Sequence, residues 1–229
     1  MSLLTVGHRG LMGVEPENTL RSFRRAEREA VDVIELDLHL SKDGALVVMH
    51  DADVTRTTDG GGPVSDFTLD QLRALDAGQG ERVPTFDEVV EATSLPLQAE
   101  IKDRDAAQVL ARRIQELDLH QRVTVISFHD EALRETRRLL PQMPLVLVAG
   151  KSSPTAPDRA RELGADMVSL ELRWLTPEIV ERAHSLGIRV ISWTVNTPED
   201  LQRVTELGLD GVVTDMPAIR RATEKLAAS

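Results

Sequence analysis

Short apolar runs recur along this chain, and amphipathic stretches lie between most of them. The runs span residues 4–6, 33–40, 45–49, 95–101, 123–128, 145–148, 167–170, 189–195 and 211–214. Stretches of helical character follow many of them, at 18–30, 105–117, 131–140, 157–163, 177–186, 198–207 and 217–227. Several open on cap-like pairs: Asn18-Thr19, Thr176-Pro177 and Thr197-Pro198. Proline suits the first helical position because its missing N–H has no intrahelical partner there. Leu163-Gly164, Leu186-Gly187 and Leu207-Gly208 end on glycine, which tolerates the left-handed backbone of a helix C-terminus. The repeated strand–helix order predicts a parallel sheet with helices outside.

Nine strand candidates are one too many for an eight-stranded barrel. The spacing resolves the excess. Only Ser41-Lys42-Asp43-Gly44 separates the second run from the third. A parallel crossover needs about a dozen residues, whereas a short turn ending in Asp-Gly suits an antiparallel hairpin. The third strand therefore folds back on the second and carries His50 alongside Glu35. Eight parallel strands remain, which predicts a (β/α)8 TIM barrel, and 229 residues is the size of one. Residues 51–86 interrupt the repeat. Thr57-Thr58-Asp59-Gly60-Gly61-Gly62-Pro63 and Gly78-Gln79-Gly80 are turn-rich, with room for one short helix at 68–75 between them. The expectation is one domain, 1–229, with an insertion at about 51–86 over the barrel mouth and too little apolar content there for a separate core.

Composition narrows the function classes. A formal net charge of −11 gives no electrostatic reason to seek nucleic acid or an anionic membrane. With no cysteine, disulfides, thiolate zinc sites and cysteine nucleophiles are excluded. No run approaches the roughly 20 apolar residues of a membrane span. The N-terminal residues lack a signal-peptide pattern, so the expected location is the cytoplasm, without stable membrane insertion. Oligomeric state is not readable.

Chemistry concentrates at the ends of the early runs. Strand side chains alternate between faces, so Glu35, Asp37 and His39 share one face of the second run, and Gln98, Glu100 and Lys102 share one face of the fourth. The apolar face of each can meet outer helices, which turns the polar face into the barrel near its C-terminal end. Three inward carboxylates, Glu35, Asp37 and Glu100, repel one another and are costly to bury without a cation. A hard divalent ion with oxygen ligands answers that cost. The alternative is a structural salt-bridge network with Arg9 and Lys102. His8 ends the first strand and His50 the third, each at the expected mouth. Two histidines across a metal can serve as general acid and base at neutral pH. Arg9 can grip a phosphate with a bidentate fork, and Lys102 adds a point charge. His120 and His184 read as surface residues near helix ends, His39 as inward but beyond the carboxylates, and His129 as a weaker pocket candidate.

At these residues the chain resembles the glycerophosphodiester phosphodiesterase family. The resemblance rests on Gly7-His8-Arg9-Gly10, Pro16-Glu17-Asn18-Thr19, Glu35-Leu36-Asp37, Lys42-Asp43-Gly44, His50-Asp51 and Arg56-Thr57-Thr58-Asp59-Gly60. It continues through Val83-Pro84-Thr85-Phe86, Glu100-Ile101-Lys102, Trp193-Thr194-Val195-Asn196 and Asp210-Gly211-Val212-Val213-Thr214-Asp215, in the family's order over nearly the whole chain. Val14-Glu15 before Pro16 and the short stretch before Val83-Pro84 depart from the family pattern. The resemblance implies a barrel with a small insertion, and one divalent cation, Mg2+ or Ca2+, on Glu35, Asp37 and Glu100. It implies His8 and His50 as the acid/base pair. Arg9 and Lys102 would meet the substrate phosphate, Glu17 and Asn18 would support the substrate site, and Trp193 would line its glycerol end. The implied reaction converts a glycerophosphodiester and water into glycerol 3-phosphate and an alcohol through a cyclic phosphate. Two other readings share much of the pattern. One is a lysophospholipase D or sphingomyelinase D-like phosphodiesterase, against which an aromatic content of 3% weighs mildly. The other is a non-enzymatic phosphoester-binding barrel, which would be expected to lose a histidine or a metal ligand.

Overall fold

The structure, a computed structural model, describes residues 3–151 and 153–228. Its nine strands are β1 (Leu4–Gly7), β2 (Val33–Leu40), β3 (Leu46–Val48), β4 (Leu97–Ile101), β5 (Val123–Ser127), β6 (Leu145–Ala149), β7 (Met167–Glu171), β8 (Arg189–Trp193) and β9 (Gly211–Thr214). All but β3 run parallel, and the β1–β2 pairing closes them into an eight-stranded barrel. β3 lies antiparallel on β2, with Leu38 opposite Val48 and Leu40 opposite Leu46. The fold-back expected from the four-residue turn is therefore present, and the fold is a (β/α)8 barrel.

The helices are α1 (Leu20–Arg28), α2 (Leu69–Arg73), α3 (Phe86–Ala92), α4 (Ala106–Glu116), α5 (Asp130–Leu139), α6 (Ala156–Leu163), α7 (Pro177–Ser185), α8 (Pro198–Glu206) and α9 (Pro217–Ala228). Thr19 caps α1 by accepting from the Ser22 N–H, and Thr197 caps α8 in a capping box with Asp200. Thr176 occupies the capping position of α7 without a side-chain cap bond. Helix α3 is not among the expected helices. It is only seven residues long, too short for a clear 3.6-residue period, and its signal is the Thr85–Glu88 capping box. Within the described residues no helix is long and apolar enough to cross a membrane.

The period-2 alternation sorts the strand residues into two apolar layers. Ile34, Leu36 and Leu38 of β2 face outward into the large core between barrel and helices, with Phe23, Leu97 and Ile101. Val6, Ile126, Val146, Val148, Met167, Ile191 and Val213 fill the barrel interior instead. This inner plug is the floor on which a mouth cavity can sit. The insertion shares a third core with the fold-back strand: Val47 and Met49 pack with Val54, Val64, Leu72, Ala77 and Val83. Leu46 and Val48, on the opposite face of β3, belong to the main core. Strand β3 is thus the seam that fixes the insertion to the barrel.

Phe23 of α1 has 0% of its surface exposed and sits in the barrel–helix layer. Phe23→Ala is expected to destabilise the protein by about 3–5 kcal/mol, read from equilibrium urea unfolding. A loss below about 1 kcal/mol would mean that this layer collapses to refill the space.

Candidate active site

Each chemistry-bearing residue lies on, or just past, a barrel strand or the fold-back strand. His8 and Arg9 follow β1, Glu35 and Asp37 lie on β2, and His50 follows β3. Glu100 is the penultimate residue of β4, with Lys102 just beyond the strand, and Trp193 ends β8. The turn after β1 is tight. Arg9 and Gly10 both take positive φ, 49° and 86°. A Cβ on Gly10 would meet the backbone carbon of Ser22 at 2.7 Å, so only glycine lets this turn lie against α1. Ser22 fastens the turn through its hydroxyl, which donates to the Arg9 carbonyl and accepts from the Leu11 N–H.

The three carboxylates converge as the pleat requires. Glu35, Asp37 and Glu100 offer oxygens that all lie within 4.8 Å of one another, and each residue is buried. Register explains it: Asp37 is paired with Glu100, and Glu35 with Gln98. Two cations neutralise part of this charge. The Lys102 ammonium lies 3.0 Å from Asp37 and 2.6 Å from Glu100. The Arg9 guanidinium reaches Asp37 at 3.3 Å and Glu17 at 2.9 Å. Glu35 accepts only the Arg9 backbone N–H, at 2.9 Å, among the described contacts.

Electrostatics follow from that division. Burial, then Asp37 and Glu100 beside it, push the Glu35 carboxyl well above the ordinary glutamate range. Burial and the Asp37 charge raise Glu100 to about 7 against the pull of Lys102. Burial also works against the Asp37 charge, but Lys102 and Arg9 outweigh it and hold Asp37 at about 2. Three carboxylates against two cations leave one charge over, and the donor set is all oxygen. These residues fit a hard divalent cation.

Both histidines are oriented the same way. His8 Nδ1 is 2.7 Å from Asp215, and His50 Nδ1 is 2.6 Å from Asp51. With Nδ1–H donating to a carboxylate, the neutral ring keeps its lone pair on Nε2. Asn196 in turn donates to the other Asp215 oxygen at 2.6 Å. Burial opposes the Asp215 charge, yet the bonds from His8 and Asn196 hold its carboxyl below the usual range. Burial pushes the His50 ring down, more than Asp37 and Asp51 raise it.

His8, Arg9, Glu35, His50, Glu100 and Lys102 line one side of a cavity of about 260 Å3. Ile126, Phe128, Val148, Trp193 and Val213 line the other. Phe128 and Trp193 meet edge to face with centroids 5.8 Å apart, and the Lys102 ammonium lies 5.7 Å from the Phe128 ring centre. The Trp193 indole N–H is engaged by the Ser169 carbonyl at 3.2 Å, which fixes the ring against the barrel wall.

Residues 8–219 match the glycerophosphoryl diester phosphodiesterase family. The chain belongs to this family. A glycerophosphodiester phosphodiesterase of Caldanaerobacter subterraneus subsp. tengcongensis is 35% identical to it, over 95% of this chain and 96% of its own. One of Bacillus subtilis is 32% identical, over 97% and 87%. An Oleispira antarctica phosphodiesterase, solved in complex with the product sn-glycerol-3-phosphate, superposes with a TM-score of 0.89 at 26% identity, over 98% of this chain and 97% of that one. A putative glycerophosphoryl diester phosphodiesterase from Silicibacter pomeroyi superposes at 0.88 with 27% identity, over 98% and 94%. The chain is thus an enzyme, a hydrolase of glycerophosphodiesters.

Around this candidate site, the ten residues singled out in the sequence do not all take the same position. His8, His50, Arg9, Lys102, Trp193, Glu35 and Glu100 line the cavity, and Asp37 lies beneath them, 1% exposed. Glu17 and Asn18 are not among the lining residues: Glu17 bonds Arg9 from behind, and the Asn18 amide donates to Asp37 at 2.8 Å. His39 is spent on the His50 carbonyl, 3.0 Å away, and His120, His129 and His184 are exposed. Asp51, Asp215, Asn196 and Phe128 carry parts of the site that sequence reading did not assign. Asp51 and Asp215 had a signal, since each stands within a quoted motif just past a strand end.

Glu35 dictates a pH-dependent outcome for the cation-free protein. Its carboxyl is raised in the fold, so ionising it costs stability as pH climbs above the unfolded value of 4.5. Glu35→Gln keeps an oxygen for the Arg9 N–H and removes that cost. In chelator at pH 8, Glu35→Gln is expected to melt above the parent protein, with the advantage shrinking at pH 5. A lower melting temperature at pH 8 would mean that Glu35 is neutralised by a partner in the fold.

Proposed function

We propose that this enzyme cleaves glycerophosphodiesters to glycerol 3-phosphate and a free alcohol, with His8 and His50 as its acid/base pair and a divalent cation, Mg2+ or Ca2+, on Glu35, Asp37 and Glu100. One observation carries the reading. Two rings, each anchored through Nδ1 to its own carboxylate, border the same small cavity as Glu35 and Glu100, which cluster with Asp37 beneath them. The product complex of the Oleispira antarctica relative supports glycerol 3-phosphate as the species such a cavity holds.

A divalent cation in such a site lowers the pKa of a neighbouring hydroxyl and screens phosphate charge. The side chains do the rest. Arg9 and Lys102 receive the anionic phosphate, the first by its planar fork and the second as a point charge. Phe128 and Trp193 offer an apolar wall to the glycerol carbons and keep water from that side. One histidine takes the proton of the glycerol hydroxyl next to the phosphoester as its oxygen bonds to phosphorus. The other gives a proton to the alcohol oxygen as the P–O bond breaks. A cyclic glycerol phosphate results. In the second half the roles reverse: the first histidine protonates the ring oxygen while the second takes a proton from the attacking water. Ser169 and Thr194 also line the cavity, but among the described contacts neither hydroxyl is hydrogen-bonded to His8 or His50, which leaves the nucleophile to the substrate or to water.

Turnover of glycerophosphocholine, compared with lysophosphatidylcholine, tests the assignment. Chelation is expected to abolish it and Mg2+ or Ca2+ to restore it. His8→Ala and His50→Ala are each expected to lower kcat by about 100-fold or more. His120→Ala and His184→Ala should stay near the parent rate. Normal kcat in His50→Ala would remove the paired acid/base role, and preference for the lysolipid would move the enzyme to the lysophospholipase D class. A substrate lacking the hydroxyl beside the phosphoester should bind but turn over poorly. Efficient hydrolysis of that deoxy analogue would replace the cyclic route with direct attack by water.

A further inference from the structure

Arg56 stands apart from the barrel. It ends a 3-10 turn, Val54–Arg56, inside the insertion. The turn is fixed: Asp53 caps it at the Thr55 N–H, and Val54 is buried in the small core shared with β3. From there the guanidinium spans two carboxylates. Its Nε donates to Asp51 Oδ2 at 2.6 Å and its Nη2 to Asp51 Oδ1 at 3.1 Å. Its Nη1 and Nη2 donate to the two Glu17 oxygens, both at 2.8 Å.

The shared atoms give this arrangement its meaning. Asp51 Oδ1 also holds His50 Nδ1, and Glu17 Oε1 also holds Arg9 Nη1 at 2.9 Å. Arg56 Nη2 touches both of those oxygens. A single guanidinium thus joins the carboxylate that orients His50 to the carboxylate that orients Arg9. The two groups otherwise come from different parts of the chain, the turn after β1 and the end of the fold-back strand. Arg56 is 46% exposed, so its ion pairs are worth little as stability. Their geometry is another matter: two bidentate contacts from one planar fork fix angles that a point charge cannot.

We propose that Arg56 is a positioning residue, which sets His50 through Asp51 and Arg9 through Glu17, so that the insertion aligns the proton-transfer and phosphate-binding groups as one unit. The proposal rests on the reading of His50 and Arg9 as working groups, but its first test needs no turnover. In protein carrying 15N-histidine, the His50 Nδ1 proton held by Asp51 should give a slowly exchanging signal. Arg56→Gln is expected to lose that signal while the His8 signal, held by Asp215, persists and reports an intact barrel. Arg56→Lys keeps charge and stem, and is expected to lose it too.

The second test is kinetic. Asp51→Ala should act chiefly on kcat and Glu17→Ala chiefly on KM. Arg56→Gln should act on both, lowering kcat/KM about 10-fold to 100-fold. In the Glu17→Ala/Asp51→Ala background the same change should cost less than about 2-fold, because its route is gone. An equal factor in both backgrounds, or a retained His50 signal in Arg56→Gln, would overturn the proposal. Absence of glycerophosphodiester turnover in the unaltered protein would count against the proposed function alone and leave the spectroscopic test standing.

Discussion

Three carboxylates buried at the mouth of one barrel are the constraint around which the rest of this structure is arranged. Adjacent parallel strands lie about 4.8 Å apart, so residues in register on the inner face are held at contact whatever their charge. Asp37 and Glu100 are such a pair. One step down, Glu35 meets the uncharged Gln98, which keeps the cluster at three acids and not four. The hydrogen-bonded register keeps their backbones from moving apart. The charge has to be met by what surrounds it. Lys102 and Arg9 meet two parts of it, and the raised carboxyl of Glu35 marks the part left over.

The surroundings divide accordingly. Strands β1, β2 and β4 with the fold-back bring every charged group of the cavity wall, while β5 to β9 bring mostly apolar side chains and the Phe128–Trp193 pair. A phosphodiester has the same two-sided character, an anionic centre with carbon on either side. The low-polarity half strengthens the electrostatics of the charged half by excluding water. The inner plug below keeps solvent from entering the cluster through the barrel floor. Packing and charge are therefore one design: the apolar plug gives the acidic cluster its depth, and depth is what perturbs Glu35 and Glu100.

What the chain discloses by pattern is what depends on near neighbours. The eight parallel strands were readable because each apolar run and its following helix lie within one unit of sequence. The fold-back was readable because four residues cannot make a parallel crossover. Glu35 and Asp37 were readable as partners because a two-residue period leaves no alternative face. Contacts between distant segments carry no such local mark. Asp215 reaches His8 across 207 positions, and Arg56 reaches Glu17 across 39. Glu17 and Asn18 were expected to support the substrate site, and they are bonded to Arg9 and Asp37, a placement set by the path of the turn before α1. Helix α3 was missed because seven residues show two turns of periodicity at most.

The site is assembled from two supports of different kinds. His8, Glu35, Asp37 and Glu100 stand on hydrogen-bonded barrel strands or the residue after one, backed by the large core. His50 stands two residues beyond a three-residue strand that packs one face into the main core and the other into the insertion's small cluster. His50 itself lies past the end of that strand, so its orientation needs ties that do not come from the sheet. His50 has three: Asp51 at its ring, His39 at its carbonyl, and Arg56 through Asp51. Each tie is polar, directional and close to the mouth, so it fixes orientation where the packing beneath fixes only position.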